Sequence, residues 1–419
     1  IAHGASEHFF LGWFRILSHY PQGGSPSDNL AALALLLDQF ASGSGRIAPR
    51  SRGSRLGPGV RTKLEKAVAA VEASSDGHFS SDDLLVFGNG CYAVGRHEDA
   101  STAYLTILKD EPANADARFN LGLAYLRLKN PESAVREFTD LLVQHPMMAE
   151  AFYQRGNGND DLGELDQALL DYGRAIELNP AFVHAMYNRG ILLAQAGRHQ
   201  EAVAQFDRVN DIQPDISNTY LNRGASLDEL GLHAAALSSY TRATELNPEN
   251  SLALFNRART NYYLGNLYEA LTDYSEVILL TPDDAEAFNN RGLTYDALGD
   301  YENAIEDFDV ALMLRSSFAE AYSNRGAVLE VLGDLVGALK DYQLSLDADP
   351  GLASAHYNVA RLYSKNGDVE SCLEHLDQVL QIAPQWADDA ADDEHLKWAL
   401  DIRNLRDDKG LEDSSASEG

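Results

Sequence analysis

Tyr187-Asn188-Arg189-Gly190 decides how this chain is read, because its inner triplet returns. Asn-Arg-Gly stands again at Asn222-Arg223-Gly224, Asn290-Arg291-Gly292 and Asn324-Arg325-Gly326, with Asn256-Arg257-Ala258 and Gln154-Arg155-Gly156 as variants. Each step is 34 residues or a multiple of it. A second marker keeps the same step: Pro112, Pro146, Pro180, Pro214, Pro248, Pro282, then Ser316, then Pro350 and Pro384. A fixed period without insertion marks a stacked repeat array, so function is to be sought on a surface rather than in a catalytic cluster.

The repeats run 81–114, 115–148, 149–182, 183–216, 217–250, 251–284, 285–318, 319–352 and 353–386. Within each, apolar spacing is helical over two segments. The break falls near position 15, at Gly95, Gly163, Gly197, Gly231, Gly265, Gly299, Gly333 and Gly367, with Lys129 in the second repeat. Glycine there suits a helix C-terminus, and proline at position 32 closes the second helix. Position 8 is Gly in seven repeats and Ala in two, and position 20 is Ala in eight with Cys372 in the ninth. Small residues at these points let paired helices approach. Position 24 carries a ring at Tyr104, Phe138, Tyr172, Phe206, Tyr240, Tyr274, Phe308 and Tyr342, to fill the space between hairpins.

With Gly/Ala at 8, Ala at 20, an aromatic at 24 and Pro at 32, the chain resembles the tetratricopeptide-repeat proteins over 306 of its 419 residues. The resemblance implies an all-α fold: a right-handed superhelical solenoid of about nine helix–turn–helix units plus a C-terminal capping helix. It also implies that the first helices line a concave groove that binds peptides or proteins, without naming a partner.

Outside the repeats, residues 1–44 are expected to hold helices at 9–17 and 30–40, out of repeat phase and packed on the first repeat or belonging to an upstream domain. A membrane-surface role for them lacks a clean basic face. Residues 45–60 read as a basic linker, and 61–80 as a degenerate half-repeat. Residues 46–66 hold seven basic side chains and one acidic one. That run suits a solvated segment drawn to the acidic array, with nucleic acid or anionic lipid as the alternative. Residues 387–406 are expected to form one capping helix, begun in an acidic run that suits a helix N-terminus, and 407–419 a disordered acidic tail. The chain opens on Ile1, which suits a fragment or processed product.

Sixty-four acidic residues against 33 basic ones give a net charge of −31. Such a surface disfavours polyanions and favours basic peptides or proteins, or it serves solubility alone. Cys91 and Cys372 fall in the first and ninth repeats, too far apart to pair, so core packing is expected and no disulfide-dependent fold. No apolar run reaches spanning length. A cytoplasmic location is favoured on composition, and no signal specifies a compartment.

Positions 2, 5, 6, 9 and 12 of the first helix share one face. Position 6 is Asn120, Asn188, Asn222, Asn256, Asn290, Asn324 and Asn358, with Gln154 in the third repeat and Val86 in the first. A side-chain amide both donates and accepts, so a row of them can hold an extended chain by its backbone. The row is similar to the asparagine ladder in the repeat region of O-linked N-acetylglucosamine transferases. Their catalytic part is not matched, and no transferase activity is carried over. Alternatively these amides bond locally and stabilise the hairpins. Around the row stand Phe119, Tyr153, Tyr187, Phe255 and Tyr357 at position 5. Acids stand at positions 2 and 12: Asp116, Glu150, Glu286, Glu320, Asp160, Asp228, Asp296 and Glu330. Rings and carboxylates together suit a segment carrying Lys or Arg. Seven hydrogen bonds at about 1 kcal/mol each give about 7 kcal/mol. Ordering a flexible peptide costs about 2–5 kcal/mol. Micromolar affinity needs about 8 kcal/mol, so rings and charges would have to add to the amides.

Position 7 carries Arg155, Arg189, Arg223, Arg257, Arg291 and Arg325. Asp171, Asp273, Asp307 and Asp341 at position 23 suit internal pairing better than a row open to anions, although Arg189 meets Gln205 instead. Gly156-Asn157-Gly158-Asn159-Asp160-Asp161 lacks the alternating acids and distal Glu of a calcium loop and reads as a weak helix or hinge. No metal-spaced cluster, nucleotide loop or nucleophile motif occurs, so no enzyme activity and no cofactor is expected. The leading reading is an adaptor or scaffold that holds an extended basic segment. The others are an accessory module of an enzyme whose catalytic domain lies upstream, and an assembly factor using its ends or convex surface, self-association included.

Overall fold

A computed structural model describes residues 26–38, 58–74 and 79–408. The expectations for 1–25, for residues 39–57 of the basic linker region, for 75–78 and for 409–419 lie outside the described residues. Among the described residues every regular element is helical: twenty-two α-helices and one 3-10 turn, with no strand. The chain divides into two compact units, Ile1–Pro214 and Asp215–Gly419. In both, consecutive helices pack as hairpins, each against the next, in the manner of a tetratricopeptide solenoid.

The hairpin turn shows why position 15 is glycine. All eight glycines there adopt positive φ, between 71° and 90°, and Lys129 adopts it too, at 58°. The helix must reverse within three residues, and the left-handed conformation does this while capping the last carbonyls. Asn and Asp side chains start several helices, among them Asn114, Asn130, Asn250, Asp284, Asp300, Asp334 and Asp368, each accepting a hydrogen bond from a backbone N–H two or three residues on.

Positions 8 and 24 form the packing unit of each hairpin. A Cβ on Gly224 would lie 2.6 Å from the Tyr240 ring, and one on Gly190 2.7 Å from Phe206. The ring thus lies flat on bare backbone, fully buried in both cases. Such burial contributes about 1.5–3 kcal/mol per ring.

In the first unit, Pro26–Asp38 and Pro58–Ser74 pack on repeat one. Leu33, Leu64, Val68 and Val71 are buried with Cys91 and Val94. In the second unit the expected continuous helix over 387–406 is instead two, Ala387–Asp392 and Lys397–Asp408. The break coincides with a tertiary contact. Asp393 leaves the helical conformation at ψ 120°, and its carboxylate accepts from the Tyr357 hydroxyl at 3.1 Å and lies 3.3 Å from Arg361. Ala390, Leu396 and Ala399 still bury against Ala360, Cys372 and Leu376, so both pieces cover the apolar edge of repeat nine. Both cysteines are free and buried, and burial pushes their thiols up, to about 12 for Cys91 and about 11 for Cys372.

The Gly156–Asp161 run, expected as a weak helix or hinge, is regular helix held by tertiary contacts. It completes the uninterrupted helix Ala149–Asp161. Asn159 is buried and donates to Asp171 at 3.0 Å, while Asn157 accepts from the Tyr172 hydroxyl at 2.8 Å. Gly158 admits Val135, whose methyl would lie 2.8 Å from a Cβ there. Tertiary hydrogen bonds and close packing offset the poor helix propensity.

Candidate functional site

The arginines of position 7 are internal partners, as the spacing suggested. Four of the six guanidiniums meet both oxygens of the aspartate sixteen residues on: Arg155 with Asp171 at 2.9 and 2.7 Å, and Arg257 with Asp273 at 2.7 and 2.6 Å. Arg291 with Asp307 and Arg325 with Asp341 repeat the arrangement at 2.7 and 2.8 Å. The carboxylates keep only 5–8% exposure, so these are buried forks that join the two helices of a hairpin. Arg223 has Ser239 in that place, at 2.7 Å. Arg189 makes no hydrogen bond or ion pair among the described residues, and burial pulls its guanidinium pKa down.

The amide row divides. Asn120 is fully buried and donates to Asn89 of the preceding repeat at 2.8 Å. Gln154, 5% exposed, accepts from Asn157 at 3.0 Å. Phe119, 1% exposed, packs edge-on against Phe138. These three expected ligand contacts are buried instead, Asn120 by a bond to the preceding repeat and Gln154 and Phe119 against partners in their own. Asn188 is half-buried and donates to Asn157 at 3.0 Å and to the Tyr153 hydroxyl at 3.4 Å. In the second unit Asn324 reaches Asn289 at 2.9 Å and Asn358 reaches Ser323 at 3.4 Å. Asn222 is half-buried. Asn256 and Asn290 are half-buried too, and among the described residues their side chains make no hydrogen bond. Position 9, placed on the same face by its spacing, supplies acceptors at Asn89 and Asn157, a link to position 6 not drawn from the sequence. The signal was there, since an Asn at 9 followed 31 residues later by an Asn at 6 forms the link in both cases.

The rings of position 5 lie against those of position 24. Tyr153 meets Tyr172, Tyr187 meets Phe206 and Phe255 meets Tyr274, with centroids 5.8, 6.1 and 5.6 Å apart. These position-5 rings and Tyr357 are half-buried, so each presents part of its edge outward.

The acids divide as well. Asp228 accepts from the Tyr240 hydroxyl at 2.9 Å and from Thr260 at 2.9 Å, and lies 3.0 Å from His233. Glu330 accepts from Tyr342 at 3.0 Å and pairs with Lys365. Both are therefore held by internal donors rather than presented to a ligand. Asp296 stands at the same position 12, but its repeat carries Phe308 where the others carry Tyr, and no hydroxyl reaches it. It is half-buried, without a hydrogen bond or ion pair among the described residues, and burial alone raises its pKa. Tyr262 of the preceding repeat feels its charge. Glu150 is half-buried, while Glu320 and Glu286 are exposed, the latter paired with Arg315 at 3.1 Å. Arg259, three residues past Asn256 on the same helix, adds a cation that the reading of an acidic face overlooked. At repeat nine, Tyr357 and Asn358 join Ser354, Trp386 and Asp389 around a shallow pocket of about 300 Å³.

A serial array of helix hairpins, each packed against the next, belongs to the helical-repeat interaction scaffolds. Tetratricopeptide-repeat models match residues 85–146, 153–215, 221–274, 258–299, 285–318 and 353–385, together more than half of the chain. The chain belongs to the tetratricopeptide-repeat proteins. Among solved structures it is similar to YrrB, described as a TPR protein with an unusual peptide-binding site, at 27% identity over 44% of this chain and 95% of that one, with a TM-score of 0.41. It also matches a tetratricopeptide repeat protein from Parabacteroides merdae at 21% identity, over 59% of this chain and 98% of that one, with a TM-score of 0.43. A third match is the Cut9–Hcn1 APC/C hetero-tetramer at 15% identity, over 90% and 83%, with a TM-score of 0.47. No curated protein matches. The repeats support a protein-interaction scaffold, and a chain built of them is typical of non-catalytic proteins. Among the described residues no helix is long and apolar enough to cross a membrane.

Proposed function

We propose that this protein is a non-enzymatic scaffold that holds an extended, Lys- or Arg-bearing segment of a partner protein on the first-helix face of repeats six and seven. Asn256 and Asn290 take the backbone of the segment, Phe255 packs on its side chains, and Asp296 receives the cation. The observation that carries this is Asp296. Its half-buried carboxylate lacks the phenol that its counterparts Asp228 and Glu330 hold. A desolvated, unpaired carboxylate is unfavourable in the free protein, and a bound ammonium or guanidinium relieves that while releasing little water. The raised pKa has a definite consequence. At pH above it the carboxylate is charged and binds the cation, and as pH falls through it protonation weakens binding.

The test is a panel of fluorescent peptides differing only in whether a central residue is Lys, Arg, Gln or Glu. Wild type should bind the Lys and Arg members, and Asp296→Asn should weaken them about tenfold, as removal of a charge-assisted pair does. The pair Asn256→Ala and Asn290→Ala should weaken every member alike. Equal binding of all four peptides by wild type would remove the charge preference. Binding unchanged by the double alanine variant would move the site elsewhere.

A further inference from the structure

The odd arginine of the row stands apart from that face. Arg189 stands on the first helix of repeat four, Val183–Gln195, at the position where four sister arginines close on an aspartate with fork distances of 2.6–2.9 Å. In its repeat the aspartate is replaced by Gln205, which is 8% exposed and whose Oε1 is buried without a hydrogen bond. The Nε of Arg189 is likewise buried without a partner. Sister arginines also place Nη1 on a side chain of the preceding repeat: Thr139 at 3.3 Å, Ser275 at 3.1 Å, and Asp309. The matching residue here is Gly173, where a Cβ would lie 3.8 Å from the Arg189 Cζ. Glycine therefore leaves that side of the guanidinium without a covering side chain. The charges felt at Arg189 are Glu201 and Glu177 against Arg198 and Arg208, and Glu201 is bound to Arg198 at 2.6 Å. The surrounding charges therefore balance, and the guanidinium itself is the unmatched charge at this place.

We propose that Arg189, with Gln205 and the gap at Gly173, is a binding site for one carboxylate supplied from outside the chain. The fork that its sisters offer to their own aspartates has no acceptor here, with Nε buried and the Gly173 side uncovered, and the same planar geometry selects a carboxylate. The buried amide of Gln205, whose Oε1 has no partner, carries an Nε2 donor that can add to the fork once the amide turns towards the incoming oxygen. The carboxylate belongs either to an Asp or Glu side chain of a partner protein or to a small free acid.

Solution NMR of the full chain labelled with ¹⁵N reads the site through the Arg189 Nε–H resonance, assigned by its loss in Arg189→Lys. Sodium acetate should shift it saturably, and sodium chloride at matched ionic strength should not. Gln205→Asp restores the internal fork, so its Tm should lie above that of wild type and its resonance should ignore acetate. A shift no larger with acetate than with chloride in wild type overturns the proposal, and so does an equal acetate response in Gln205→Asp. A hexapeptide bearing one Glu and no other charge separates the two sources. A dissociation constant at least tenfold below that of acetate assigns the site to a polypeptide carboxylate, and an equal one to a free acid.

Discussion

The unit ending at Pro214 and the unit beginning at Asp215 are built on one repeat, yet they employ its polar side chains differently. In the first, the amides of Asn120, Gln154 and Asn188 are bonded within the array, as are Asn324 and Asn358 in the second, and Arg155 of the first keeps its aspartate too, so the difference lies in particular repeats. In the second, the amides of Asn256 and Asn290 have no side-chain partner among the described residues, and Asp296 lacks the hydroxyl that holds Asp228. The arginine row runs the other way, paired with aspartate at Arg257, Arg291 and Arg325 in the second unit and open at Arg189 in the first. The lesson concerns periodicity. A residue repeated every 34 positions has the same address in each repeat but not the same partner, and its availability depends on what stands at positions 9, 23 and 24.

The contrast in the arginine row should give the largest effect. Asp307→Ala leaves a mostly buried Arg291 unpaired, and local stability by native-state hydrogen exchange should fall by about 2–3 kcal/mol, the lower side of the usual range because that arginine is still partly solvated. Arg189→Met in the first unit should change it by less than about 1 kcal/mol, since no pair is lost. Comparable losses in both would erase the distinction. Next, Asn120→Ala should cost about 1–2 kcal/mol by removing a buried bond to Asn89, whereas Asn256→Ala should stay within about 0.5 kcal/mol. Denaturant titration of the two variants checks this.

Phe308→Tyr sharpens the same comparison within the second unit. The new phenol should reach Asp296 as Tyr240 reaches Asp228. The Asp296 pKa, followed by carboxyl ¹³C shifts, should then move down towards the ordinary carboxylate range, and affinity for the Lys peptide should drop several-fold. A pKa that does not move would show that the two positions are not equivalent.

The smallest effect lies in repeat nine. His356 Nε2 donates to the Pro350 carbonyl at 3.1 Å, which leaves its Nδ1 to accept from His375 Nδ1 at 2.9 Å. Burial, then the neighbouring His356, lowers the pKa of His375, with Glu374 opposing and Tyr363 stacked beside it. Below the ordinary histidine pKa the unfolded chain therefore binds more protons, and stability of this repeat should fall as pH drops through that value towards the folded one. His375→Gln should flatten the dependence, as followed by amide exchange in repeat nine at pH 7.5 and 5.5.

Much of the fold is legible in the residues themselves. Gly at 15, Ala at 20 and Pro at 32 each answer a local requirement of backbone or close contact, and so they recur wherever the hairpin does. The Arg–Asp forks were legible for the same reason, since both partners lie within one hairpin, sixteen residues apart. Less was legible in the site. Phe119 and Asn120 hold the same repeat positions as Phe255 and Asn256, and only their degree of burial separates core from surface. The break at Asp393 was hidden likewise, because Tyr357 and Arg361, which draw the carboxylate, lie more than thirty residues away.

By itself, then, the sequence determined the period, the hairpin and the small and aromatic residues that pack it. These depend on contacts short along the chain, which a 34-residue pattern repeats faithfully. Tertiary structure decided which copies of a polar residue are satisfied and which remain open. A hydrogen bond between neighbouring repeats needs two positions to match, and a single substitution such as Tyr to Phe at 308, or Asp to Gln at 205, breaks the match and leaves the periodic residue in place.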